Sequence, residues 1–166
     1  CSSDLKSYIY IMKNYSILLA LVLITTFSIG SLADVKKGKW EFVNDTDYCF
    51  IQSAPIKTDI PKGKSRGQNY VLVYRMNKNP EPIIQITAGF NYKSPDSIEV
   101  KIDNGVYNFF TDADTAWANE DKKVIFAMKK GLELIIIGIS SKGTQVIDTY
   151  TLKGFTAAYN KLMNDC

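Results

Sequence analysis

Between Lys39 and Thr151 the chain returns again and again to a period of two, and each return is broken by turn-forming residues. Alternation of this kind suits the half-buried strands of a layered sheet, because successive side chains point to opposite faces. The runs are Lys39–Val43, Tyr48–Gln52, Tyr70–Met76, Ile83–Phe90, Ser97–Ile102, Val106–Thr111, Leu132–Ser140 and Thr144–Thr151. Between them stand Asn44–Asp47, Asn77–Pro82, Asp103-Asn104-Gly105 and Ser141-Lys142-Gly143. An Asn-Gly step between two alternating runs is a strong hairpin signal. Ser53–Gln68, with Pro55, Pro61, Gly63 and Gly67, reads as a long polar loop. Eight short strands with this punctuation predict a mainly β fold, an antiparallel β-sandwich.

Two segments change period. Glu120 and Asp121 follow Asn119, a candidate helix cap. Val124, Ile125 and Met128 share one helical face, and Lys129-Lys130-Gly131 closes the segment. Acids first, bases last and glycine after match the preferences of helix termini. Near the chain end, Phe155, Ala158, Tyr159 and Leu162 recur at i, i+3, i+4 and i+7, which predicts a second short helix packed on the sheet. Gly154 before it is explained by close packing or by a tight start to that helix.

Ahead of the strands, Met12 and Lys13 precede the apolar run Ile17–Ile24, a softer stretch Thr25–Gly30, and Ser31-Leu32-Ala33. Charged start, short apolar core and small residues at −3 and −1 form the order of a secretory signal. Residues 12–33 are therefore expected to be a signal peptide cut between Ala33 and Asp34, and residues 1–11 an upstream non-native extension. The alternative is a retained membrane anchor, since Asn14–Ala33 is uncharged and long enough to span a bilayer; the polar residues after Ile24 favour cleavage, and no stable membrane span is expected after processing. Residues 34–166 form the expected single domain, 133 residues long.

Removing Lys6, Lys13 and Asp4 with the leader leaves a net charge of +2. That is too balanced to point to nucleic acid. The chain has no histidine, which removes the commonest general base and metal ligand. Of three cysteines, Cys49 and Cys166 remain. Two cysteines in an exported chain usually pair; two free thiols or a bridge between chains are the alternatives.

One ordered series of residues runs through the whole domain. Gly38-x-Trp40, Cys49-Phe-Ile-x-Ser53-x-Pro55 and Ala88-Gly89-Phe-x-Tyr92-Lys93 come first. Asp112-x-Asp114-Thr-Ala-Trp117, Ala127-Met-Lys-Lys-Gly131, Ser140-Ser-x-Gly-Thr144 and Asp148-Thr-Tyr-Thr-Leu-Lys-Gly-Phe-Thr-Ala-Ala-Tyr159 follow. The series resembles the invasion-associated locus B family of exported alphaproteobacterial proteins, and it covers Gly38–Cys166. The resemblance implies an immunoglobulin-like β-sandwich and a periplasmic, outer-membrane-associated or secreted location. It also implies that the two cysteines bracket the domain as their counterparts in the family do.

Several residue groups carry possible chemistry. Asp112, Asp114, Glu120 and Asp121 offer oxygen ligands, but the spacing of a calcium loop is absent, and acids at a helix start are ordinarily capping residues; no metal or cofactor is expected. Lys57, Lys62, Lys64 and Arg66 form a basic loop that suits an anionic partner such as a lipid headgroup or envelope polysaccharide; a merely solvated loop is the preferred reading. Trp117, between two alanines, is read first as a core ring beside the first helix and second as a binding anchor. Ser140-Ser141-Lys142 is a hairpin turn in preference to a serine nucleophile with a lysine base. No residue group is expected to be catalytic. The reading of the whole is an exported, non-enzymatic envelope protein that binds another protein or an envelope polymer. A secreted adhesin acting at a host surface, and an envelope hydrolase or transferase, are the alternatives.

Overall fold

The computed structural model describes residues 35–76 and 79–166. The extension 1–11, the signal peptide 12–33 and the junction Ala33/Asp34 lie outside the described residues. Val35–Cys166 forms one unit, and among the described residues no helix is long and apolar enough to cross a membrane.

The elements are β1 (Glu41–Asn44), β2 (Tyr48–Ser53), β3 (Lys57–Asp59), β4 (Tyr70–Met76), β5 (Asn79–Thr87), β6 (Ile98–Ile102), β7 (Gly105–Tyr107), β8 (Phe109–Asp112), β9 (Thr115–Ala118), α1 (Asp121–Lys130), β10 (Glu133–Ile139), β11 (Gln145–Thr151) and α2 (Phe155–Asp165). They build a six-stranded sheet in the order β1-β2-β4-β5-β9-β8 and a five-stranded sheet in the order β3-β11-β10-β6-β7. All the strand pairs are antiparallel. This is the expected β-sandwich with two short helices.

The eight predicted strands become eleven for identifiable reasons. The run Val106–Thr111 is two strands. Tyr107 pairs with Val100 in the five-stranded sheet, and Phe109 pairs with Ala118 in the six-stranded one, so the chain changes sheets at Asn108. Thr115–Ala118 returns antiparallel to β8 as β9. Lys57–Asp59, inside the predicted loop, adds an exposed edge strand to β11. β5 begins earlier than predicted, at Asn79, although Pro82 lacks an N–H. It can do so because β9 pairs only with Gln85–Thr87, leaving the earlier part of β5 unpaired on that side.

The inward positions make one core. Ile51, Val73, Ile84, Val100, Leu134 and Tyr150 come from the sheets; Val124, Ile125 and Met128 come from α1, and Phe155, Ala158 and Leu162 from α2. These helix faces are the predicted ones, with Tyr159 half-buried at the margin. Trp40 meets Phe155 edge-on at 4.9 Å and donates its indole N–H to the Thr151 carbonyl at 2.9 Å, joining the N-terminal segment to α2 and β11.

The helix ends differ from expectation. Glu120, not Asn119, holds the N-cap position of α1, and its side chain makes no capping bond. Asp121 in the first turn instead accepts the Ile84 N–H at 2.7 Å, satisfying a β5 donor beyond the end of β9. Burial raises the Asp121 pKa, and the Ile84 N–H opposes that rise. Gly131 has an ordinary extended backbone; a Cβ there would stand 2.8 Å from Ile102 and 3.0 Å from Leu152, so packing space selects glycine. At Gly154 the reason is backbone conformation: φ is +88° and nothing lies near a Cβ.

Cys49 lies on the inward face of β2, opposite Arg75 of β4. It is disulfide-bonded to Cys166 at the end of α2, with the Cα atoms 5.7 Å apart. Arg75 donates to the carbonyls of Leu162 and Met163 at 3.1 and 3.2 Å. A cation at a helix C-terminus satisfies carbonyls that have no partner within the helix and complements the helix dipole. The last turn of α2 is thus fastened to adjacent positions of β2 and β4.

Candidate functional site

The predicted basic loop divides in the structure. Lys57, Lys62 and Lys64 are exposed. The side chain of Arg66 is only 7% exposed and pairs with Asp148 of β11, whose side chain is equally covered. The pairing is bidentate: Nη1 donates to Oδ2 at 2.7 Å, and Nη2 to Oδ1. Nη1 also reaches the Ala88 carbonyl at 3.1 Å, and Nη2 reaches the Thr58 hydroxyl at 3.0 Å. Thr58 in turn donates to Asp148 at 2.7 Å. The guanidinium therefore ties β3, β11 and the end of β5 together, and Arg66 is an internal cross-link instead of a free surface cation. Tyr92 and Tyr150 lie beside this pair; burial, reinforced by the Asp148 charge, pushes both phenols far above their ordinary range. Neither ionises under physiological conditions.

Next to the pair, three segments enclose a cleft of about 390 Å³. The β3–β4 loop supplies Lys64 and Ser65, the turn between β10 and β11 supplies Ser141, Lys142 and Thr144, and Phe90-Asn91 supplies the third wall. Two residue groups that the sequence separates, the basic loop and Ser140-Ser141-Lys142, thus meet at one place. Ser140 is buried, and its hydroxyl accepts the Thr144 N–H at 3.1 Å, as a residue closing a hairpin turn does.

Trp117 is not a core ring. Ala116 and Ala118 point into the core, so Trp117 faces the other side of the six-stranded sheet. The register places Leu72, Gln85, Trp117 and Phe110 in one row across that face. Phe50 and Tyr74 lie in the neighbouring row, with Tyr48 and Met76 beyond. Phe110 stacks on Trp117 at 5.7 Å with 25° between the rings, and Tyr48 stacks on Phe50 at 5.5 Å with 23°. The Trp117 indole lies beside the Tyr74 hydroxyl. Phe110 is 49% and Met76 51% exposed. The outer face of the five-stranded sheet is different: Lys57, Asp59, Glu99 and Lys101 flank its central isoleucines. The six-stranded sheet has charge on its outer face at its edge strands, where Glu41 of β1 ends the row beyond Gln52 and Asp112 of β8 lies opposite Thr115. Between them the stacked rings form an apolar centre of the kind that marks interaction surfaces.

The acids do not converge. Glu120 pairs with Lys123, Asp121 serves β5, and Asp114 accepts from the Thr115 hydroxyl. Among the described residues, no group of three His, Cys, Asp or Glu side chains is placed to hold a metal ion.

The molecule is thus a disulfide-closed antiparallel sandwich with an internal ion pair, a small cationic cleft and an aromatic outer face. The chain belongs to the family described as invasion associated locus B (IalB) protein, which it matches over residues 43–163. It is similar in structure to invasion associated protein B from Bartonella henselae. The TM-score is 0.55 at 16% identity, and the match covers 76% of this chain and 93% of that one. At that identity the likeness concerns the fold. No curated protein matches the chain.

Proposed function

We propose that the chain is an exported, non-enzymatic protein of the bacterial envelope that holds a partner protein on the outer face of its six-stranded sheet. The observation that carries this reading is the row of Leu72, Trp117 and Phe110 beside Phe50 and Tyr74. Aromatic side chains dominate the energetic centres of protein interfaces, because they exclude a large area of water at little conformational cost. The two stacked ring pairs keep that surface flat and ordered before a partner arrives. The absence of histidine and the engagement of Ser140 within its own turn support a binding role over a catalytic one. The leader supports export, and mature protein isolated from the envelope is expected to begin at Asp34 by N-terminal sequencing; a mature chain that keeps residues 12–33 would contradict this.

The binding reading is tested with a photo-reactive residue at position 106, an exposed site on the edge strand of the other sheet, compared with one at position 110. In the native envelope, position 110 is expected to cross-link one defined protein and position 106 none. Trp117→Ala is expected to weaken the purified complex at least about tenfold, the level of an interface hot spot. Because Trp117 lies outside the core, the variant should keep its fold by circular dichroism. An unchanged affinity in folded Trp117→Ala protein would remove the sheet face from the function.

A further inference from the structure

We infer that the cleft beside the β10–β11 turn is a second, separate binding site, and that it takes an acidic sugar unit of a polysaccharide. This inference does not depend on the protein-binding reading of the sheet face.

Charge comes first. Lys64 and Lys142 bring two ammonium groups to the cleft from distant parts of the sequence, and no aspartate or glutamate lines it. Neither lysine is paired with a carboxylate among the described residues. Arg66 also lines the cleft, but Asp148 neutralises it, so it gives rigidity in place of net charge. The excess positive charge therefore rests on two exposed, adaptable side chains, an arrangement suited to one or two anionic groups.

The remaining chemistry narrows the ligand. The Ser141 and Thr144 hydroxyls and the Asn91 amide can exchange hydrogen bonds with a polyhydroxylated molecule. Phe90 supplies an aromatic wall and is itself held by Tyr92, with ring centroids 5.3 Å apart. A bare phosphate ion would not use such a wall, whereas the apolar face of a sugar ring would. About 390 Å³ is also near the low end for small-ligand sites, the scale of one or two sugar rings. The recessed shape disfavours a bilayer, whose headgroups present a broad front that a cleft between loops cannot meet.

The walls are fixed to one another before any ligand binds. Ser141 donates its N–H to the Asn91 carbonyl at 2.7 Å, and Lys93 donates to the Ile139 carbonyl at 3.0 Å. Tyr92 and Ser140 form an antiparallel bridge. Arg66 ties the β3–β4 loop to Ala88, just before the Phe90-Asn91 wall. A site whose backbone is already ordered loses less entropy on binding.

The test uses the full exported protein with its disulfide intact, titrated calorimetrically with an oligogalacturonate. Parallel titrations use a neutral galactose oligomer of equal length, inorganic phosphate, and vesicles rich in phosphatidylglycerol. The acidic oligomer is expected to bind, and to weaken as salt rises from about 50 to about 300 mM because exposed charges are screened. Lys64→Ala with Lys142→Ala should weaken it at least about tenfold, and Lys142→Glu alone should reproduce most of that loss. Lys153→Ala, an exposed lysine elsewhere, should leave it unchanged. Equal binding of the neutral oligomer, stronger binding of phosphate or vesicles, or full affinity in the double variant would overturn the proposal.

Discussion

Asp148→Ala is expected to lower folding stability by about 3–5 kcal/mol, the typical loss when one partner of a buried ion pair is removed. The magnitude comes from what is left behind. Arg66 cannot give up its charge, and its side chain lies under the β3–β4 loop with only 7% exposed. Without the carboxylate, the guanidinium keeps only the Ala88 carbonyl and Thr58 hydroxyl as partners. Thr58 also loses its acceptor, so the edge strand β3 is left with only its backbone pairing to β11. Asp148→Asn should lose less, because an amide oxygen can still accept from Thr58. Replacing both partners by apolar residues, Arg66→Met with Asp148→Leu, should recover most of the stability, since no buried charge then remains unpaired. Urea unfolding of the four proteins measures this. A loss below about 1 kcal/mol for Asp148→Ala would mean that the pair is solvated in solution.

Cys166→Ala should lower stability by about 2–4 kcal/mol. The bridge spans 117 positions, for which the chain-entropy account alone gives about 4–5 kcal/mol. The expected loss is smaller because a reduced unfolded chain keeps some residual structure, so the bridge removes less freedom than the ideal-chain figure assumes; Arg75 still holds the Leu162 and Met163 carbonyls in the folded variant. The parent, unfolded without reductant, should show no free thiol from Cys49 or Cys166, and denaturant unfolding should separate it from the variant. Equal stability of the two would show that the bridge does not constrain the unfolded chain. Arg75→Ala combined with Cys166→Ala should release the last turn of α2, seen as lost hydrogen-exchange protection near Leu162.

The sequence reveals elements where one periodicity persists. β4, β10 and β11 keep their period of two, and α1 and α2 keep their apolar stripes. The change of sheets at Asn108 leaves no mark, because alternation runs through it unbroken and only partners differ on either side. β9 is four residues long, too short to stand out from the turn before it. β3 is entirely polar, as an exposed edge strand can be. The features proposed to bind divide in the same way. Lys64 is visible as a basic loop residue, yet its meeting with Lys142 depends on how distant loops fold together. Trp117 shares its strand with two buried alanines, and the parity that turns it outward needs the strand to be recognised first. A signal for the ion pair was present: Asp148 has the same parity in β11 as buried Val146 and Tyr150. An acid at an inward position demands a cation, and Arg66 answers that demand from a loop whose composition gives no sign of burial.

The bond between Cys49 and Cys166 closes the polypeptide into a ring that contains every strand after β2 and both helices. A single proteolytic cut within it, for instance in the exposed stretch Pro61–Ser65, opens the ring without dividing the molecule. The two pieces remain joined through sulfur, and on a non-reducing gel they migrate together. One nick is then survivable damage, and loss of material requires a second cut or a reductant.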